Sequence, residues 1–178
     1  MTGPVLETER LTLRPTALED FSRWAELMAD PETARFIGGV QAPPATWRAM
    51  MSMAGAWSLT GVAMFSVIER ETGLWLGRIG PWQPLGWPGT EVGWSLHPDA
   101  HGKGYAMEAA VASIDYAFDV LGWTEVIHCI DPDNVPSQKL AERLGSTNRG
   151  PGTLPAPFET ARVDIWGQSR DQWRARRR

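Results

Sequence analysis

The stretch EVGWSLHPDAHGKGYAMEAA, Glu91–Ala110, decides the fold. Its first residues alternate as a strand does, and its last are an Ala-rich helix. Between them stands His101-Gly102-Lys103-Gly104. Glycine adopts positive φ and lets a backbone approach a ligand. The unpaired N–H groups of a helix start, with the helix dipole, favour a phosphate or pyrophosphate. Lys103 adds a positive charge. Gly-x-Gly also marks plain turns. No third glycine follows at the dinucleotide spacing, and no Gly-Lys-Ser/Thr completes a P-loop.

Outward from that stretch, "WTEVIHCID" reads as a buried strand and "NVPSQKLAERLG" as a short helix closed by Gly145. Strand, helix and strand over Glu91–Ile130 predict a parallel pair with a right-handed crossover. Upstream, "GVAMFSVIER" (61–70), "LWLGRIGPW" (74–82) and "TEVGWSLHP" (90–98) predict an antiparallel meander. "RLTLRP" alternates as a strand. Helices are predicted over 16–30, with Thr16 and Glu19 as a capping box, over 46–59, and over 102–121. Residues 31–44 and 149–157 read as loops, and 158–166 as a last strand. The fold class is mixed α/β (α+β).

Bulk properties narrow the function. A chain of 178 residues fits one domain, here 1–170, followed by a basic tail at 171–178 that ends in "RARRR" and reads as solvated. The formal net charge of −4 argues against nucleic acid as a partner. A single cysteine, Cys129, precludes an internal disulfide and fits a reducing cytoplasm. "MTGPVLETERLTLRP" has no apolar signal region, and no run is long enough to cross a membrane. No metal-ligand cluster is visible in the sequence, with only His97, His101 and His128 and no grouped set of ligands.

Three blocks, "LETERLTLRP", "EVGWSLHPDAHGKGYAMEA" and "DPDNVPSQKLAERLG", stand in one order. Together they resemble the GCN5-related N-acetyltransferase (GNAT) superfamily, in its RimJ/RimL-type ribosomal-protein-alanine acetyltransferase-like branch. The resemblance covers most of the chain. It implies a central, mostly antiparallel sheet flanked by helices and splayed between its fourth and fifth strands, with acetyl-CoA in the V. It places the pyrophosphate on His101, Gly102, Lys103, Gly104, Tyr105 and Ala106. It sets the pantetheine arm along the backbone of Trp94, Ser95 and Leu96, as an added strand. It puts Asn134 at the pantetheine amide and Ser137 near the thioester sulfur. It also implies an amine acceptor, a peptide N-terminus or a small amine, and allows a homodimer.

The chain departs from the pattern in four places. Asp99 replaces Gln or Arg, His101 replaces an aromatic residue, Ala141 stands where many members carry an acid tyrosine, and Ser146 follows Gly145 where Phe is usual. The vacant tyrosine leaves open a catalytically weak acyl-CoA-binding module. The donor is open too, succinyl-CoA being an alternative.

Acetyl transfer needs a deprotonated amine, a donor for the thioester oxygen and a stabilised thiolate. The candidate catalytic residues are Glu91, Ser137 and His128. Glu91, at the start of the cofactor strand, is the first candidate base; a solvated strand-end carboxylate is its alternative. His128 shares a strand face with Val126 and Ile130 and is the second, its alternative being a satisfied core histidine. Ser137 suits a hydrogen bond to the sulfur. Cys129, among apolar neighbours, reads as a small buried hydrophobe rather than a nucleophile. For the acceptor, the loops 30–44, 81–89 and 149–160 supply Phe36, Trp82, Trp87 and Phe158, with Glu32 and Glu159 as carboxylates for a cationic amine.

Overall fold

A computed structural model describes residues 3–177. Met1 and Thr2 of the opening segment and Arg178 of the basic end lie outside the described residues. Eight strands form one sheet, in the order β1-β2-β3-β4-β5-β6-β8-β7. They are β1 (Leu6–Glu7), β2 (Leu11–Arg14), β3 (Phe65–Glu69), β4 (Trp75–Trp82), β5 (Glu91–Leu96), β6 (Glu125–Ile130), β7 (Thr147–Gly152) and β8 (Val163–Ser169). Every neighbouring pair is antiparallel except β5 and β6, which are parallel. The GNAT-type sheet is therefore as expected. The added strand β1 makes the parting strands the fifth and sixth rather than the fourth and fifth.

The helices are α1 (Phe21–Ala29), α2 (Pro31–Ala34), α3 (Pro43–Thr60), α4 (Tyr105–Asp119), α5 (Val135–Leu144) and α6 (Arg170–Arg176). Leu11 and Leu13 of β2, Phe65 and Val67 of β3, Ile79 of β4 and Val92 of β5 are fully buried, as period-two alternation demands. Ala109, Ala110, Ile114 and Ala117 bring α4 against the sheet. The small alanine side chains permit close packing. On α1, Trp24 is fully buried and stacks on Trp75 at 5.8 Å.

Several local expectations are corrected. Thr16 and Glu19 form no capping box. Asp20 accepts from the Ala17 N–H at 2.9 Å, from Ser66 Oγ at 2.6 Å and from the Arg14 guanidinium, while Thr16 Oγ1 is buried without a partner. Asp20 lay one residue beyond the Thr/Glu pattern, and one of its partners, Ser66, is remote in sequence. A helical turn, α2, lies within the expected loop 31–44, capped by Asp30 on the Thr33 N–H. Strand β7 occupies part of the expected link at 149–157. β8 begins at Val163, not at Phe158.

The basic end is exposed, as expected, but it is folded as a helix in which Trp173 alone among the described residues 171–177 is buried. Ser169 caps α6, and Trp173 is buried with its indole donating to Asp115 Oδ1 at 2.8 Å. Arg174 and Arg177 pair with Asp119 and Asp115. The acidic partners belong to α4, so the charge run alone did not disclose them.

Candidate active site

The site begins where β5 and β6 part. Their register holds at Glu91 and Ile127, and the Ile127 N–H donates to the Thr90 carbonyl at 2.9 Å. The next rungs are taken by side chains. His128 Nδ1 lies 2.7 Å from the Val92 carbonyl, and the Cys129 N–H donates to Glu91 Oε1 at 2.9 Å. These contacts satisfy buried peptide groups that a continuing ladder would otherwise pair. They mark the apex of a V.

Backbone alternation sets what the V offers. Residues 91, 93 and 95 turn their peptide groups to β4, as the Arg78–Ser95 register and the His97 N–H to the Leu76 carbonyl require. Val92 turns its carbonyl the other way, so Trp94 and Leu96 do likewise, past the point where the strands separate. That is an open strand edge, fit to pair with an extended amide chain. Ser95, expected with its neighbours along the cofactor, instead faces β4 with its peptide. Its hydroxyl accepts from Arg78 Nε at 3.1 Å.

At the wide end of the V lies the glycine turn. Gly102 and Gly104 have φ of +73° and +82°. Gly104 is the N-cap of α4, and a Cβ at Gly102 would meet open space. The first N–H groups of α4 have no intrahelical acceptor. His101 Nε2 sits 3.0 Å from the Leu96 carbonyl and ties the turn to the end of β5. Lys103 is exposed, while Tyr105 is buried and donates its hydroxyl to Glu69. Ala106, half-buried in the first turn of α4, packs against the core.

Arg10 clamps the turn, a role the sequence reading missed. It donates to the Lys103 carbonyl at 2.9 Å, pairs with Glu108 at 2.7 Å and lies over the Tyr105 ring at 4.5 Å. Thr8 also donates to Glu108, at 2.6 Å. The signal was present in the opening block and in the acidic residue of "YAMEAA", but only the fold joins them.

The far wall comes from α5. Asn134 caps it by accepting from the Ser137 N–H at 3.2 Å. Ser137 Oγ accepts the indole N–H of Trp94 at 3.1 Å, across the V. Its own proton therefore stays available. Ala141 is fully buried against Ile130 and Trp166, with Trp94 packed on the cluster. Where an acid tyrosine was looked for, aromatic rings fill the space.

Glu91 and His128 emerge differently. Glu91 is buried, at 6% exposure, and borders a cavity of about 490 Å³. Burial raises its pKa to about 7, against the lowering effect of bonds from the Cys129 N–H and the Trp87 indole. Trp87 Nε1 donates to Oε2 at 2.5 Å, so each carboxylate oxygen accepts one N–H. It is not the solvated strand-end group its position allowed. Trp87, one of the two donors that hold this pKa down against burial, was foreseen only as pocket lining.

His128 has both nitrogens engaged. A carbonyl can only accept, so Nδ1 carries the proton toward Val92. Nε2 then accepts from Ser146 Oγ at 2.9 Å, and Gln168 Nε2 donates to that oxygen at 3.1 Å. Burial lowers the His128 pKa to about 4. Ser146, standing where phenylalanine is usual, is thus the partner of His128. Cys129 borders the cavity, but burial, reinforced by Glu91, pushes its thiol well above the ordinary range. A thiolate nucleophile is disfavoured there.

The three expected acceptor loops meet around the cavity. Phe36, Trp82, Trp87 and Phe158 line it, and a Cβ on Gly38 would lie 3.4 Å from the Phe158 ring. Glu32 and Glu159 do not line it. Glu32 is exposed and pairs with Arg35 at 3.6 Å. Among the described residues no three His, Cys, Asp or Glu side chains group as metal ligands do, and no helix is long and apolar enough to cross a membrane.

Known proteins share this fold. Residues 10–147 match the family model described as an acetyltransferase (GNAT) domain. An uncharacterised N-acetyltransferase, p20, of Bacillus licheniformis is 34% identical over 167 residues, covering 90% of this chain and 92% of the relative. A crystal structure of an acetyltransferase from Agrobacterium tumefaciens superposes with a TM-score of 0.82 at 34% identity, over 96% of both chains. A ribosomal-protein-S5-alanine acetyltransferase from Vibrio fischeri shares the fold, with a TM-score of 0.73 at 18% identity over 96% of this chain and 98% of that one.

Proposed function

The chain belongs to the GNAT acetyltransferase family, and from that premise we propose that it moves the acetyl group of acetyl-CoA directly onto a primary amine, with Glu91 as general base. The observation that carries this reading is the buried Glu91 carboxylate at the apex of the V, held by two N–H donors and poised near pH 7.

Acetyl-CoA supplies an acyl group activated as a thioester. The residues present fit it: a glycine turn at a helix start, an open strand edge at Trp94 and Leu96, and Asn134 and Ser137 opposite. The turn and the first N–H groups of α4 hold the pyrophosphate, with Lys103 as counter-charge. The Trp94 and Leu96 peptide groups pair with the pantetheine amides and offer a donor to the thioester oxygen.

Glu91 takes the proton of the incoming ammonium, directly or through water. Its pKa is matched to neutral pH, where half the sites are ionised and proton acceptance is still favourable. Ser137, fixed by the Trp94 indole, turns its hydroxyl proton to the sulfur and stabilises the departing thiolate. A hydroxyl is too weak an acid to complete that protonation, so solvent finishes it. His128 acts by position: the neutral ring fixes the Val92 carbonyl and stacks beside Trp94 at 4.6 Å.

The acceptor is a protein N-terminus, as in the RimJ/RimL-type branch, or a small amine, and the chemistry fits a cytoplasmic protein. The filled tyrosine space at Ala141 favours one second reading, an acyl-CoA-binding module without turnover. Release of free CoA thiol from acetyl-CoA separates the two, screened over N-terminal peptides, polyamines, aminoglycosides and amino acids. Thermal stabilisation by acetyl-CoA serves as the binding control. Thiol release with one class establishes transfer. Stabilisation without release from any acceptor supports the module.

A further inference from the structure

Among the charged groups that border the cavity, one arginine has neither a role in the chemistry above nor a carboxylate partner among the described residues. Arg78, on β4, is half-buried and borders the cavity. Its Nε donates to Ser95 Oγ at 3.1 Å, and its guanidinium lies over the Trp24 ring at 4.9 Å. Its terminal amino groups make no hydrogen bond or ion pair with any described residue, and they are not sealed from solvent. Burial lowers its pKa to about 10, which leaves it a cation at neutral pH.

A half-buried guanidinium that borders a cavity without a carboxylate partner leaves its terminal donors free for a ligand. Taking a charge out of water is costly, and proteins normally repay it with an ion pair. The other arginines of the cavity are more exposed and are ion-paired, Arg35 with Glu32 and Arg162 with Asp133. Nor does Glu91 serve: its carboxylate accepts from Trp87 and Cys129 and makes no ion pair with Arg78.

Register places Arg78 and Glu91 on one face of the sheet. Arg78 faces Ser95, which lies two pleats along β5 from Glu91. Between them the paired positions are Gly80 and Gly93, without side chains. Met64 fills that floor: a Cβ on Gly93 would lie 2.4 Å from its Cε. An apolar floor thus separates a base from a fork of unpaired donors.

We propose that Arg78 is the specificity residue of the acceptor site, and that the acceptor is an amine bearing a carboxylate, its amine at Glu91, its apolar link over Met64 and its carboxylate on the Arg78 guanidinium. A planar fork binds a carboxylate through two parallel N–H bonds. This reverses the earlier expectation that carboxylates would draw in a cationic amine, because Glu32 and Glu159 lie off the cavity. A free amino acid and an acidic peptide N-terminus offer the same chemistry.

The inference rests on amine acetylation at Glu91, so its test includes binding without turnover. The ligands are N-acetylated α-, β- and γ-amino acids and their neutral amides, titrated calorimetrically into the wild type with CoA present. At least one acid should bind more than about tenfold tighter than its amide, the worth of a charged hydrogen-bonded pair. In Arg78→Met that preference should fall to near one. Turnover is then compared for amino acids against their amides, and for peptides with Asp against Asn in second place. The arm that shows the carboxylate preference identifies the source. Acids binding no better than amides, or a preference that survives in Arg78→Met, would overturn the proposal. Arg78→Lys covers the case of a misfolded Met variant: it keeps the charge, loses the fork, and should retain only part of the preference. Binding preference without turnover would leave Arg78 standing and remove the acetyl-transfer reading instead.

Discussion

The indole of Trp87 and the carboxylate of Glu91 are joined by an N–H···O bond of 2.5 Å, closed against the apex of the parted strands. Burial pushes the Glu91 pKa up, and this bond, with that from Cys129, holds it back to about 7. Trp87→Phe removes a donor that favours the carboxylate form. The acid limb of the kcat/KM profile should then move upward by about one to two pH units, since a hydrogen bond to a charge is worth ~1.5–3 kcal/mol. An unmoved limb would show that Trp87 does not tune the base.

The same group predicts a stability trend. Its folded pKa is raised above the ordinary glutamate value of 4.5, so the folded state holds the proton longer than the unfolded chain. The stability this contributes is full below about pH 4.5 and is lost as pH rises to about 7. Relative to Glu91→Gln, the wild type should lose ~3 kcal/mol across that window, at ~1.36 kcal/mol per pH unit. Urea unfolding at pH 4.5 and pH 8 measures it. A flat difference would mean that Glu91 keeps an ordinary carboxylate pKa.

At the other end of the V, Gly104 caps α4 with φ of +82°. A β-branched side chain resists that conformation, at a cost of about 1–3 kcal/mol. Gly104→Val should remain folded by circular dichroism yet lose thermal stabilisation by acetyl-CoA. Unchanged acetyl-CoA affinity in the folded variant would contradict the phosphate cradle.

Much of this was legible in the sequence, and for identifiable reasons. The glycine turn, the crossover from β5 to β6 and the Asn134 cap are local patterns, read from a handful of neighbours. The Arg10–Glu108 clamp, the His128–Ser146–Gln168 chain and the burial of Trp173 against Asp115 join residues far apart in the chain. No periodicity announces such pairs. β7 was missed because "TNRGPG" carries Gly and Pro, and β-strands normally avoid both. Glu91 could be named from its place on the strand, but its burial and its indole partner needed the folded loop 81–89.

His128 tests the division between base and scaffold. With Nδ1 on Val92 and Nε2 on Ser146, it has no free lone pair for an amine. His128→Leu leaves buried partners unsatisfied and should destabilise the protein by about 1–3 kcal/mol. The acid limb of the variant should stay near pH 7. Loss of that limb in a folded His128 variant would transfer the base role to the histidine.

Ser137 and Trp94 act as a pair at the thiolate. Ser137→Ala should slow turnover by about two- to tenfold, the worth of one ordinary hydrogen bond, with little change in acetyl-CoA affinity. Trp94→Phe should produce a smaller loss of the same kind, and the double variant should cost less than the sum. Additive losses would show that the two side chains act independently.

The central claim is that Glu91 accepts the proton of the amine, and the most direct measurement is kcat/KM for CoA release against pH, in wild type and Glu91→Gln. The wild type should rise through about pH 7 to a plateau. The variant should bind acetyl-CoA normally, fall by ~10²–10⁴ on the plateau and lose the limb near pH 7. A Glu91→Gln enzyme that keeps both its rate and its limb would contradict the account.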